Sequence, residues 1–171
     1  EAADVIRGLR ELGVSKLVMM TGDNEKTARA VAEAVGVDAY FAEVLPEDKA
    51  AFIQAEHAAG RKVIMLGDGV NDSPALSEAD AGVAISDGAA IAREVADITV
   101  GANDLYALLT LKRLSDALME RIHSNYRKII SFNFLLICLG VAGVLPPATS
   151  ALLHNASTLV ISLKSMTKLL A

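Results

Sequence analysis

The feature that most limits what this chain can fold into is an alternation of short apolar runs with helix-patterned segments. The two clearest runs each end on a polar turn that contains glycine. Lys16-Leu17-Val18-Met19-Met20 leads into Thr21-Gly22-Asp23-Asn24, and Val63-Ile64-Met65-Leu66 leads into Gly67-Asp68-Gly69. Short apolar runs without alternation suit strands of a parallel sheet, which lie buried on both faces. Ahead of the first run, Val5, Ile6, Leu9 and Leu12 recur at helical spacing before Gly13, and between the two runs a second helix is expected from the Asn24 turn to about Val35, stopped by Gly36. Pro46 opens a third helix at a position where its missing N–H costs nothing, and Gly60 closes it. A weaker strand at 39–42, a helix at 72–78, a strand at 82–85, a short helix at 89–95 and a last strand at 98–100 complete the region. The alternation predicts an α/β fold, a parallel sheet covered by helices on both faces. Such sheets bind ligands beyond the carboxyl ends of their strands, and both polar turns fall there.

Composition enters the argument after residue 105. Hydrophobic residues make up 53% of the 171, and their excess is concentrated from Ile129 onward. Residues 105–128 read as one long helix carrying Lys112, Arg113, Asp116, Glu120 and Arg121, which runs on into 129–145, where no residue is charged. Pro146-Pro147 breaks that stretch and a second apolar segment follows. A bilayer core needs about 20 apolar residues and tolerates about 17, so two membrane spans are expected, at about 129–145 and 148–168. Arg121, Arg127 and Lys128 flank the start of this hairpin, and Lys164 and Lys168 its end, which places both ends on the cytoplasmic side. The alternative, a soluble helical hairpin packed on the sheet, calls for a polar face that neither stretch shows. The expected organisation is therefore 1–104, a connecting helix at 105–128 and two membrane helices within 129–171. The formal charge of −5 argues against nucleic acid as a partner. The single cysteine, Cys138, excludes an internal disulfide and a multi-cysteine metal site within the chain.

Three segments carry the chemistry. In Gly67-Asp68-Gly69-Val70-Asn71-Asp72, two carboxylates four positions apart on a glycine-rich loop can converge on one hard cation. Mg²⁺ takes one or two carboxylates and keeps its other positions for water and phosphate. Gly67 and Gly69 allow close backbone approach to a phosphate, and Asn71 can donate to a phosphate oxygen. Asp72 can equally serve as the N-cap of the next helix. Thr21-Gly22-Asp23-Asn24 offers a hydroxyl and backbone N–H groups at a helix N-terminus, a ready anion site or simply a good cap. Lys49, in Leu45-Pro46-Glu47-Asp48-Lys49, reads either as a solvated helix lysine or as a cation that neutralises phosphoryl charge.

Taken in order, the TGD turn, the lysine of the PEDK segment and the run GDGVNDSPAL (67–76) resemble the haloacid dehalogenase core as used in P-type ATPases. The resemblance covers nearly the whole chain. It implies a Rossmann-like parallel sheet followed by a long helix and a transmembrane hairpin. It also implies an ATP-driven pump of the cell membrane with its phosphorylation domain in the cytoplasm. By that resemblance Thr21 contacts the transferred phosphoryl group, Lys49 stabilises its charge, and Asp68 binds Mg²⁺ with Asn71 and Asp72 completing the site. Asp23, Gly22, Gly67 and Gly69 belong to the same two loops. In this family an aspartate of a DKTGT-like motif is phosphorylated by ATP and then hydrolysed. That motif does not occur in these residues, so the chain is expected to be a C-terminal fragment holding half an active site, inactive by itself.

A phosphorylation domain followed by only two membrane helices is similar to the heavy-metal (CPx-type) branch. The segment Ala151-Leu152-Leu153-His154-Asn155-Ala156-Ser157-Thr158 resembles that branch's final helix, where polar side chains help form the transport site. His154 and Asn155 are the candidate ligands of a transported divalent or monovalent heavy-metal ion, and Asn133 is a further polar candidate. Hydrogen-bonded helix packing accounts for such residues equally well. Similar copper exporters carry Tyr-Asn in the penultimate helix where this chain has Gly140-Val141. Zinc and cadmium exporters place an acid near Asn155 and a lysine near Val141, and both are lacking here. Imidazole favours borderline metals such as zinc, cobalt or nickel. The competing functions are a membrane-tethered phosphatase of the same superfamily and a non-catalytic membrane binding module.

Overall fold

The structure is a computed structural model describing residues 1–68, 71–85, 94–101 and 104–169. The chain divides into two compact units, Glu1–Thr110 and Leu111–Ala171. The first unit runs α1 (Ala2–Glu11), β1 (Val18–Met20), α2 (Glu25–Val35), β2 (Ala39–Phe41), α3 (Pro46–Ala58), β3 (Ile64–Gly67), α4 (Ser73–Glu78), β4 (Ala81–Ile85) and β5 (Ile98–Val100), and it includes the start of α5 (Ala107–Val141). The expected helix at 89–95 falls largely outside the described residues.

All strand pairings are parallel, as the alternation predicts, but the described strands form two sheets rather than one. β1 pairs with β2, Val18 opposite Ala39 and Met20 opposite Phe41. The other sheet has the order β3-β4-β5, with Ile64 opposite Ala81 and Val83 opposite Ile98. β1 and β3 therefore each keep one open edge among the described strands. This corrects the expectation that the run at 63–66 is buried on both faces. On β3, Ile64 is 61% and Leu66 39% exposed, because these two residues, two positions apart, share a face of the strand that is left uncovered among the described residues. β4, paired on both sides, is the buried strand, with Val83 and Ala84 fully inside.

The core of the first unit mixes alanines with a few larger aliphatic side chains. Val5, Ala28, Ala32, Ile53, Ala75 and Leu76 are buried beside the β4 residues. The apolar face of α2 is thus mostly alanine, which lets that helix lie close to its neighbours. Asn24 caps α2, its side-chain oxygen accepting the Thr27 N–H at 3.0 Å. Pro46 stands in the first turn of α3, and Asp48 reaches back to accept the Leu45 N–H at 3.1 Å.

Two carboxylates act as hubs of this unit. Glu56, a buried residue of α3, accepts from Lys16 at 2.8 Å and from Arg61. Hydrogen bonds from Arg61 first and Lys16 second hold its carboxyl down at about 2. Asp80 accepts from Lys62 at 2.7 Å and from the Val63 N–H at 2.9 Å, and it lies 2.9 Å from His57 Nε2. It thereby ties the entry of β3 to the end of α3. The Lys62 contact first and the Val63 N–H second lower its carboxyl to about 2.

In the second unit, α5 continues to Val141 and a turn leads into α6 (Pro147–Ser165), with Pro147 at its start. The first apolar stretch was expected to stay helical to residue 145. It stops at Val141 because Gly143 adopts φ 73°, where the Val144 N–H returns to the Leu139 carbonyl at 3.0 Å and the Gly143 N–H to that of Gly140. This is a Schellman stop. The second helix ends at Ser165 rather than 168. Among the described residues no helix is long and apolar enough to cross a membrane. In α5 the charges of Arg127 and Lys128 precede an apolar end that Asn133 interrupts, and in α6 His154, Asn155, Ser157 and Thr158 occupy the middle.

The two depressed carboxyls make a pH prediction. Their ordinary values are 4.5 for Glu56 and 3.8 for Asp80, and both fall to about 2 on folding. Their contribution is therefore complete above pH 4.5 and is lost as pH falls toward 2. Thermal melts followed by circular dichroism across that window should show the loss. Glu56→Gln and Asp80→Asn should each flatten the acid limb.

Candidate phosphate and metal site

The two polar turns sit where the strands end. Thr21 follows β1, and its N–H donates to the Phe41 carbonyl at 3.0 Å, so the turn is anchored to the end of β2. The next residues are tied to the loop before α3: the Glu43 N–H donates to the Asp23 carbonyl at 2.9 Å, and the Val44 N–H to the Thr21 carbonyl at 3.0 Å. That loop enters α3, and Lys49 lies in the helix's first turn.

Lys49 then reaches the other loop. Its ammonium donates to Asp72 Oδ1 at 2.6 Å, with the two side chains 13% and 12% exposed. Asp72 occupies the N-cap position of α4, yet its side chain makes no capping hydrogen bond. The carboxylate is engaged by Lys49 instead, a contact that neither sequence reading, metal ligand or helix cap, had named. Gly67 makes this possible: a β-carbon there would lie 2.5 Å from Asp72 Oδ2, inside contact distance. The first glycine of the loop is thus required by the seat of Asp72, at the start of the next element.

The remaining candidates divide. Asp68 directly follows β3 and is exposed, as is Asn71. Gly69 lies outside the described residues. The Thr21 hydroxyl donates to Asp23 Oδ2 at 2.9 Å and accepts the Asp23 N–H at 3.1 Å, so its proton is already engaged. Gly22 is exposed between them. One of the free N–H groups expected at the start of α2 is taken by Asn24.

Among the described residues no group of three or more His, Cys, Asp or Glu side chains could hold a metal ion. The fit to Mg²⁺ rests on fewer protein ligands. An exposed carboxylate at the carboxyl end of β3 suits a cation that keeps several waters, and Asp68 supplies it. Asp72, with its charge matched by Lys49, is suited to positioning that lysine.

In the second unit His154 Nδ1 lies 2.8 Å from Asn133 Oδ1. An amide oxygen accepts only, so Nδ1 is the donor in this contact, which leaves Nε2 as the nitrogen through which a neutral His154 ring could ligate a metal. Ser157 and Thr158 both donate to the His154 carbonyl, at 2.8 and 3.0 Å, which is local helix bonding. Sequence reasoning noted Asn133 as polar but did not pair it with His154. A separation of 21 residues across a proline break carries no periodic signal.

Comparison with known proteins defines first a class. Residues 1–80 match the family model described as haloacid dehalogenase-like hydrolase, in agreement with the parallel α/β fold and the loops at its strand ends. Particular relatives narrow it. The chain is 41% identical over 162 residues to a zinc-exporting P-type ATPase of Mycobacterium marinum (strain ATCC BAA-535 / M), covering 94% of this chain and 22% of that protein. It is 46% identical over 147 residues to copper-transporting ATPase 2 of Homo sapiens, covering 86% of this chain and 10% of that one. A crystal structure of a zinc-transporting PIB-type ATPase in its E2.Pi state matches 99% of the chain and 27% of its own length, with a TM-score of 0.82 and 30% identity. These likenesses support the heavy-metal P-type ATPases as its family, and the chain spans less than a quarter of the curated relatives just named.

The Lys49–Asp72 pair can be tested by a stability cycle. Removing one partner of a buried pair costs about 3–5 kcal/mol, whereas apolar replacement of both is close to neutral. Lys49→Met should destabilise the chain strongly in urea titrations, and Lys49→Met/Asp72→Leu should recover most of the loss. Additive effects of the two changes would contradict the pairing.

Proposed function

We propose that this chain is the C-terminal part of an ATP-driven heavy-metal transporter, contributing the phosphate- and Mg²⁺-binding half of its phosphorylation site and part of its membrane metal pathway. The observation that carries this reading is the Lys49–Asp72 pair. It links the Thr21-Gly22-Asp23 turn to the 67–72 loop at the carboxyl ends of parallel strands, where phosphoryl transfer needs positive charge held in place. The aspartate that accepts the phosphoryl group, and most of the ATP contacts, belong to parts of the protein outside these residues. The open edges of β1 and β3 are consistent with a further strand entering the sheet.

In this reading Lys49 lies opposite the transferred phosphoryl oxygens, and Asp72 keeps its ammonium aimed. Thr21 exchanges its Asp23 partner for a phosphoryl oxygen. Asn71 donates to the same group, and Gly22, Gly67 and Gly69 keep side chains out of the way. Mg²⁺ on Asp68 supplies further neutralisation of the phosphoryl charge.

The second unit is proposed to embed in the bilayer as a helical hairpin, in keeping with relatives named as metal exporters. Phe134, Ile137, Leu152, Leu159 and Val160 are each more than 60% exposed, an apolar surface that a water-facing helix pair rarely carries. The uncharged segment extends past the end of α5 through Ala142, Val144 and Leu145, so turn residues add to the apolar depth. Within it, His154 Nε2 and Asn155 are the proposed ligands of the transported metal. The relatives named for zinc and for copper leave the metal undecided.

Two experiments test this. In the parent pump, Asp68→Ala and Lys49→Ala should lower metal-stimulated ATP hydrolysis about a hundredfold or more, the scale of losing one electrostatic stabiliser. Full activity in Asp68→Ala would remove the Mg²⁺ role. Separately, Cys138 is free and exposed. In vesicles it should resist a membrane-impermeant maleimide until detergent is added, and prompt labelling of intact vesicles would refute the embedded hairpin.

A further inference from the structure

Two hollows lie side by side between α5 and α6, and they differ in character. One is an apolar groove of about 640 Å³, walled by Phe132, Leu135, Leu153, Val160 and Ile161. The other is a polar cleft of about 300 Å³ toward the ends of the hairpin, lined by Arg121, Ser124, Lys128 and Lys164, with Glu120 as its one carboxylate. Lys128 lines both. Arg121 is committed: it donates to the carbonyls of Ser165, Thr167 and Lys168, closing the C-terminal end of α6. Asn125 donates to Ser165 Oγ at 2.7 Å and braces the same corner. Among the described residues Lys128 and Lys164 pair with no carboxylate. The cleft thus presents two uncommitted ammonium groups and the Ser124 hydroxyl at the mouth of an apolar trough.

We propose that this composite surface binds one anionic phospholipid, its phosphate between Lys128 and Lys164 and an acyl chain along the Phe132–Ile161 groove. Charge complementarity and the continuity of the two hollows at Lys128 select this occupant. A free phosphate would leave the groove unfilled, and a purely apolar partner would leave two lysines beside it without counter-charge. Basic pockets between membrane helices on the cytoplasmic side bind such headgroups. The inference rests on the embedded hairpin proposed above, and it adds a lipid partner that the pump's chemistry does not require.

The test is native mass spectrometry of the full chain released from vesicles of phosphatidylcholine with and without phosphatidylglycerol. Cys138 labelling is read on the same vesicles. The expected result is one phosphatidylglycerol retained per chain in preference to phosphatidylcholine. Lys128→Gln/Lys164→Gln should weaken that retention about thirtyfold. Arg113→Gln/Arg127→Gln, which removes the same charge outside the cleft, should leave it nearly unchanged. Equal loss in both double variants would mean general attraction to the surface and would overturn the site. So would a lipid-free dimer, which would place a second copy in the groove. Protected Cys138 without lipid preference sinks this inference alone, whereas labelled Cys138 in both vesicle types sinks the embedded hairpin and this inference with it.

Discussion

The ion pair between Lys49 and Asp72 joins what the rest of the first unit only brings near. α3 begins beside the Thr21 turn because backbone hydrogen bonds from Glu43 and Val44 hold the intervening loop. α4 begins beside the end of β3 because Gly67 leaves room for the Asp72 carboxylate. The two helices share that point through one lysine. Withdrawing both charges from water is unfavourable by itself, and the contact persists because each charge satisfies the other at 2.6 Å. A pair of this kind adds little to stability over an apolar equivalent. What it provides is a cation in a defined place, and that is what phosphoryl chemistry asks of a protein.

The core around this point is thin. Ala28, Ala32, Ala75 and Ala84 stand among its few buried residues, and β3 leaves Ile64 and Leu66 exposed. Order is therefore imposed by polar hubs as well as by packing. Asp80 collects Lys62, His57 and the Val63 N–H, and Glu56 collects Lys16 and Arg61. Both stay ionised well below the usual carboxylate range because several donors converge on each. The second unit reverses this balance. Its side chains are largely apolar and exposed, and among the described residues the polar contacts that reach from α5 to α6 or just beyond it are few: Asn133 with His154, Asn125 with Ser165, and Arg121 with the carbonyls of Ser165, Thr167 and Lys168. Each joins α5 to α6 or to the segment just beyond it, so they set the hairpin's register where apolar contacts are permissive.

Much of the fold was legible in the sequence because its signals are local. A proline at a helix start, an apolar run and a glycine after it each report on a few neighbouring residues, and the helices from α1 to α4 follow them. The strands were found with the correct parallel sense. Their division into two sheets was not, because pairing partners are set by residues distant in the chain. The end of α5 was misplaced by four residues because hydropathy registers Val144 and Leu145 but not the left-handed turn at Gly143.

The site divides the same way. Sequence by itself selected the candidates for the proposed chemistry: Thr21, Lys49, Asp68 and Asp72 stand out because residue type and loop position limit what they can do. Only the tertiary structure decided their contacts. Asp72 read equally well as a helix cap and as a metal ligand, and it is Lys49, 23 positions away, that claims its carboxylate. Thr21 read as a phosphate donor, and its proton rests on Asp23. His154 read as a candidate metal ligand or a packing group, and only the fold pairs its Nδ1 with Asn133. A hydrogen bond depends on distance in space, and residue order constrains that distance only within a few positions along the chain.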